Sequence, residues 1–230
     1  MRISAILFDL DGTLLDTIPD LAQAVNAMRA DLGRAALPQE RVAAFVGKGI
    51  RRLVLRTLEH DGESPDEARI QACLERFKHH YRQSNGLRAI RYPGVTEGLD
   101  AFQRMGLKLA VVTNKSTEFT LPLLERTGLA PYFEQVVCGD TCPEPKPHPM
   151  PLLHACSRLG TPAQQALMVG DSINDTQAAR AAGMPVLAVP YGYNEGQGVQ
   201  NLDADAIVVS IDAAAQWVHR RLGHSNAQTA

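Results

Sequence analysis

The stretch Ala5-Ile6-Leu7-Phe8-Asp9-Leu10-Asp11-Gly12-Thr13 constrains the fold of this chain more than any other. Its apolar run leaves no room for a helix and reads as a buried strand. The run stops on two carboxylates, a glycine and a hydroxyl. With a side-chain period of two, Asp9 and Asp11 point the same way from the carboxyl end of the strand. Neighbouring acids repel unless a cation or a shared proton relieves them, and burying them for stability alone is expensive. Three arrangements compete: a strand running into an ordinary Asp-Gly turn, a calcium loop, and a magnesium site for phosphoryl transfer at the mouth of a parallel sheet. The calcium loop fails, because the upstream residues are apolar and no bidentate Glu closes it. Choosing between the other two needs the rest of the chain.

After Thr13 the pattern turns helical and stays so to Gly86, with no strand signal. Asp20 to Met28 carries one apolar face, bounded by Pro19 and Gly33. A second pattern opens at Pro38 and Glu40 and ends at Val46-Gly47. Gly47-Lys48-Gly49 is a flexible break, and Ile50 to His60 is helical again. Ser64-Pro65-Asp66-Glu67 predicts a helix start with Ser64 as N-cap and Pro65 at the first helical position. From Tyr92-Pro93-Gly94 strands alternate with helices. The strands are expected at 107–112, 135–138, 166–169, 185–189 and 206–209, and a last helix runs to Leu222. Alternation of this kind means βαβ units and a doubly wound parallel sheet, an α/β fold. The first strand belongs with the later ones. A small all-α cap (16–86) is therefore inserted after strand one of a Rossmann-like core (1–15 and 87–224), where it overhangs the ligand crevice. Residues 225–230 are expected to be a disordered tail.

At 230 residues, 45% hydrophobic and with a net charge of −2, the chain has the composition of a soluble globular protein. That balance argues against nucleic acid or an anionic membrane as a main partner. The apolar runs are strand-sized, and Met1-Arg2-Ile3-Ser4 leads straight into the first strand, leaving no room for a signal peptide. Cys73, Cys138, Cys142 and Cys156 form neither a C-x-x-C pair nor a zinc spacing, which fits reduced thiols in the cytoplasm.

Four strands end in polar residues suited to one task. Asp9 and Asp11 follow the first, Thr113 and Asn114 the second, Lys146 lies in the loop after the third, and Asp171 and Asp175 follow the fourth. Singly, each has a bland explanation, such as a helix cap, a solvated lysine or a helix-dipole charge. Together they place carboxylates, an ammonium and a hydroxyl around one crevice, as magnesium-assisted phosphoryl chemistry requires.

Asp9-Leu10-Asp11-Gly12-Thr13, Val112-Thr113-Asn114, Lys146-Pro147 and Gly170-Asp171 to Asp175 resemble, in order, the four motifs of the haloacid dehalogenase superfamily of phosphatases. The likeness covers about Ser4 to Gly223. Gly12 to Thr17, Val46 to Gly49, Thr113-Asn114-Lys115, Lys146 to Pro149 and Tyr191-Gly192-Tyr193 further resemble its bacterial phosphoglycolate phosphatases. The resemblance implies a phosphomonoesterase acting on 2-phosphoglycolate, with Asp9 as nucleophile, Asp11 as acid and base, and Lys146 as a charge partner. It also implies Mg2+ on Asp9, Asp11 (backbone carbonyl) and Asp171, with Asp175 behind them. Thr113, Asn114 and Lys146 would bind phosphate. Specificity would come from the cap, where Lys48 and then Arg51 are the candidates for a substrate carboxylate. His148, between two prolines, reads as structural. Other sugar-phosphate or nucleotide phosphatases of the fold remain alternatives. So does, from another class, a receiver-like domain that accepts and holds a phosphoryl group, although such a domain is about half this length. A phosphomutase lacks a second phosphate clamp here, and Asp11 speaks against a dehalogenase. A small-molecule phosphomonoester is the expected partner, in a monomer or homodimer whose cap hinges near Asp16 and 88–91.

Overall fold

The computed structural model describes residues 3–193 and 198–227. Six strands form one parallel sheet: β1 (Ala5–Phe8), β4 (Lys108–Val112), β5 (Gln135–Val137), β6 (Ala166–Gly170), β7 (Val186–Ala188) and β8 (Ala206–Ile207). Their order is β5-β4-β1-β6-β7-β8. The chain steps outward from β1 through β4 to β5, then crosses back to β6 and continues the other way. β1 is thus central, paired Phe8 to Val111 on one side and Phe8 to Val169 on the other. The winding direction reverses between β1 and β6, and there the loops leaving the carboxyl ends part to open a crevice. The doubly wound α/β core is as the sequence predicts.

Alternation along β1 sorts its side chains onto two faces. Ile6 and Phe8 join a cluster with Val111, Val169 and the helices α5 (Val95–Arg104) and α9 (Ile211–Ala227). Ala5 and Leu7 face the opposite way, against α7 (Met150–Leu159) and α8 (Ile173–Ala181). With both faces covered, all four residues of β1 are fully buried. Its carboxyl end, where Asp9 begins, opens toward the crevice.

Between the first strand and the rest of the core lie α1 (Ile18–Asp31), α2 (Gln39–Ala43), α3 (Gly49–His60) and α4 (Glu67–Ser84). They gather around a hydrophobic cluster of their own, with Val25, Met28, Leu58 and Phe77 at its centre. Phe119 of α6 (Thr117–Arg126) reaches into that cluster from the core. A half-buried network of Arg34, Asp61, Glu63 and Arg69, together with the buried Arg29, ties the end of α1 to the α3–α4 turn.

Three local expectations need correction. Residues 15–86 are not wholly helical, because Leu15–Asp16 (β2) pairs antiparallel with Ile90–Arg91 (β3) where the chain leaves and re-enters the core. The N-cap of α4 is Asp66, not Ser64. Asp66 has extended backbone and accepts the Arg69 N–H at 2.8 Å, so the helix begins two residues later, where a carboxylate also meets the positive end of the dipole. The tail expected from residue 225 is in its first part helix, since α9 continues through Gly223 to Ala227. One glycine costs a helix only about 1 kcal/mol. Residues 228–230, and Met1 and Arg2 at the other end, lie outside the described residues.

Candidate active site

The carboxyl ends of β1, β4 and β6 and the loop after β5 converge on one cavity, roofed by α1 and the start of α3. At its base is Lys146, whose side chain is only 2% exposed. Its ammonium donates to Asp9 Oδ1 at 2.8 Å, to Asp175 Oδ1 at 2.6 Å and to the Val112 carbonyl at 2.6 Å. An ammonium has three protons, so Lys146 is saturated. Asp175 is equally committed: its Oδ2 accepts from the Ser172 N–H and hydroxyl and from the Asp171 N–H. This is a capping box at the start of α8, and it fixes the turn that carries Asp171.

Asp171 accepts the Thr13 hydroxyl at 2.7 Å and the Tyr193 N–H at 2.6 Å. Among the described residues no ammonium pairs with it. Gly12 passes so close that a Cβ there would lie 2.5 Å from Asp171 Oδ2, and its φ of +89° disfavours a side chain independently. Gly192 crowds the same carboxylate from the other side. The two glycines let the backbone close around an acid.

Asp11 belongs to a second ion pair. Lys115 Nζ lies 3.0 and 3.2 Å from its two oxygens, and the Thr17 hydroxyl donates to Oδ1 at 2.6 Å. The Lys115 ammonium also sits 5.0 Å above the centre of the Tyr81 ring, a cation–π contact from α4. Burial disfavours the charge of Lys115, but the Asp11 carboxylate and Tyr81 outweigh it and hold its pKa above the ordinary lysine value.

Around Asp9 the balance tips the other way. Burial pushes its carboxyl up to about 7, with Lys146 pulling down and Asp175 pushing up. Burial, Asp9 and Asp175 together raise Asp171 well above the usual carboxylate range. Oxygens of Asp9, Asp171 and Asp175 lie within 4.8 Å of one another. Four acids, counting Asp11, thus face two ammonium groups around one cavity. A divalent cation among hard oxygen donors would remove that excess, so the donor set fits a metal ion of that kind.

The structure brings Asp9, Asp11, Thr113, Lys146 and Asp171 to the same cavity. Asn114 also lines it, but its side chain is spent on backbone. Its amide accepts from Lys146 N at 2.9 Å and donates to the Lys146 carbonyl at 2.9 Å and the Gly47 carbonyl at 3.4 Å, which leaves no side-chain donor for a phosphate. Lys48 and Arg51 do not line the cavity. The Gly47-Lys48-Gly49 turn presents backbone to the interior while Lys48 is exposed, and Arg51 pairs with Glu67 on the outer surface. The inward-facing residues of this region are apolar, Leu21, Val46, Ile50 and Leu53. His148 is exposed and accepts the Met150 N–H, which ties down the start of α7 as a structural residue does.

Sequence reasoning gave no site role to Lys115, Tyr193 or Asn174, although the first two fall in stretches that resemble phosphoglycolate phosphatases. Lys115 carries one signal, a cation two residues after Thr113 at a strand's end. Tyr193 joins the site through its backbone N–H and, by its hydroxyl, accepts from Thr17 N at 2.8 Å and donates to Asp16 at 2.6 Å. Asn174 donates to the Gly47 carbonyl at 3.2 Å, so two core asparagines hold one carbonyl of the helical layer.

Comparison with known proteins agrees with this geometry. A family model for haloacid dehalogenase-like hydrolases matches residues 6–189. The chain is 50% identical over 220 residues to a phosphoglycolate phosphatase of Thiobacillus denitrificans, covering 95% of this chain and 96% of that one. Among solved structures it is similar to a predicted phosphoglycolate phosphatase from Haemophilus somnus, at 32% identity and a TM-score of 0.89, over 95% and 99% of the two chains. It is also similar to CbbY from Rhodobacter sphaeroides in complex with phosphate, at 26% identity and a TM-score of 0.77, over 92% and 96%.

Proposed function

The chain belongs to the haloacid dehalogenase-like hydrolases, and from that premise we propose that it is a magnesium-dependent phosphatase converting 2-phosphoglycolate to glycolate and phosphate. The observation that carries the reading is Asp9. Its Oδ1 is held by a saturated lysine, while among the described residues no protein donor reaches Oδ2, so one carboxylate oxygen faces the cavity uncommitted.

Asp9 attacks phosphorus, an Asp9–phosphorus bond forms and the bond to the ester oxygen breaks. Asp11 supplies the proton that leaves with glycolate. Asp11 then takes a proton from water as that water attacks phosphorus and displaces Asp9. Splitting one hydrolysis into two displacements lets a fixed carboxylate do what bulk water does poorly, and positioned acid–base help is typically worth ~10² to 10⁴-fold. Lys146 keeps Asp9 oriented, and Thr113 supports the phosphoryl oxygens with nearby backbone N–H groups. Asp9, the Asp11 carbonyl and Asp171 would hold Mg2+, with Asp175 fixing Asp171 and Lys146. The ion would offset repulsion between the anionic nucleophile and the anionic substrate.

Residues 16–86 act as a cap domain over a core formed by 1–15 and the chain from 87 on, and the β2–β3 ribbon carries both connections between them. No helix among the described residues is long and apolar enough to cross a membrane. The four cysteines are free thiols, which suits a reducing cytoplasm. The protein works on a small phosphomonoester as a monomer or homodimer.

The test is kcat/KM with magnesium for 2-phosphoglycolate beside sugar phosphates and nucleotides, with a chelator control. A lead of two orders of magnitude, about 3 kcal/mol in the transition state, is the expected result. A different winner removes phosphoglycolate and keeps the phosphatase. Absence of metal-dependent turnover on every substrate removes the enzyme reading.

A further inference from the structure

We infer that Lys115 reads the substrate carboxylate and so sets the preference for phosphate esters of 2-hydroxy acids, an inference that rests on the proposed reaction. Among the described residues that line the cavity, only Lys115 and Lys146 carry a positive side chain. Lys146 has no proton left to offer, since all three go to Asp9, Asp175 and the Val112 carbonyl. Lys115 straddles both oxygens of the single Asp11 carboxylate at 3.0 and 3.2 Å, a contact one shared proton can make, and meets Tyr81 with another, so a third remains for a ligand. The remaining roof of the cavity is apolar and offers a carboxylate no other cation.

Distances within the substrate point to the same residue. Asp11, as the acid, must come within hydrogen-bond reach of the ester oxygen, about 2.7 Å. In 2-phosphoglycolate a carboxylate oxygen is three bonds from that ester oxygen, hence about 3 Å away. A cation 3.0 Å from Asp11 Oδ1 therefore lies beside the place the carboxylate must occupy once the ester oxygen meets its acid. One more carbon between the two groups, as in 3-phosphoglycerate, moves the carboxylate out of that position. Buried and backed by an aromatic face, Lys115 has few other conformations available, so it discriminates by geometry as well as by charge.

The experiment compares 2-phosphoglycolate with ethyl phosphate, which replaces the carboxylate by a methyl group, in the magnesium-loaded wild type, Lys115→Met and Lys115→Arg. Because the readout is a ratio of kcat/KM values within each protein, a partly folded variant does not distort it. Wild type is expected to favour phosphoglycolate by about 100-fold, the typical weight of a charged hydrogen bond in a dry site. In Lys115→Met phosphoglycolate falls by about that factor, mostly in KM, and ethyl phosphate falls far less. Lys115→Arg keeps a clear preference. An equal fall on both substrates, with the preference intact, overturns the inference and leaves Lys115 as a residue that only positions Asp11. A wild type without preference overturns the phosphoglycolate reading itself, and the inference falls with it.

Discussion

At the residue scale, the site concentrates like charges that stability alone would not select. Asp9 shows the consequence most directly, because its carboxyl is raised to about 7 by burial and by Asp175. A raised acid favours the folded state at low pH. That contribution is fully present below about 3.8, the ordinary aspartate value, and is lost as pH rises through about 7. Asp9→Asn removes the charge, while Lys146 keeps Asp175 and the Val112 carbonyl. With magnesium, Asp9→Asn is expected to abolish turnover; in chelator, it is expected to melt a few degrees above wild type near neutrality, about 1 kcal/mol. The gap should widen from about pH 4 to 7, as thermal melts across that range would register. Normal turnover in Asp9→Asn ends its assignment as nucleophile, and a gap that narrows with pH ends the electrostatic account. Asp9, Asp11, Lys146 and Asp171 were legible in the sequence because each follows a strand and strand ends meet at one edge of a parallel sheet. The role of Lys115 was not, although its stretch resembled the family, since that role depends on Asp11, over a hundred positions away, and on an aromatic ring from α4.

At the scale of elements, the strands of the core could be read from short apolar runs, but the connections between core and helical layer could not. β2 and β3 have two residues each, and β3 is exposed, so neither leaves a periodic trace. What secures that junction is one buried acid. Asp20, on the first turn of α1, is fully buried and accepts three backbone N–H groups of the returning segment: Gly86 at 2.7 Å, Arg88 at 2.9 Å and Ala89 at 3.2 Å. The outgoing and returning connections are thereby clasped, although 66 to 69 residues of chain separate the partners. An amide in place of the carboxylate offers one acceptor and turns its own N–H groups toward N–H groups. Asp20→Asn is therefore expected to cost about 3 kcal/mol of stability. Hydrogen exchange should show the loss of protection concentrated at 86–89. Uniform loosening of the whole chain would instead mean that Asp20 serves the α1–α4 packing and not the connection.

At the scale of the whole molecule, the helical layer lies across part of the cavity mouth, and the proposed turnover cycle would have it swing aside. The Gly47 carbonyl is held by Asn114 and Asn174, both from the core, and Leu21, Val46, Ile50 and Leu53 lie across the mouth. Two hydrogen bonds between neutral groups, each worth about 1 kcal/mol net, make a latch that thermal motion can release. The two connections run side by side through the β2–β3 ribbon, so the helical layer can swing about one edge without unfolding. Lys48 and Ile173 flank the latch on its two sides, next to Gly47 and Asn174, and both are solvent-accessible. With the partly exposed Cys142 changed to serine, cysteines at 48 and 173 can be joined by a short cleavable bismaleimide. Joining them is expected to suppress turnover at least tenfold, and cleaving the linker should restore it, because lid opening gates substrate entry and product release. Full activity in the joined protein would mean that substrate enters past a stationary layer. In that case the apolar roof would act only as a wall that excludes water from Asp9.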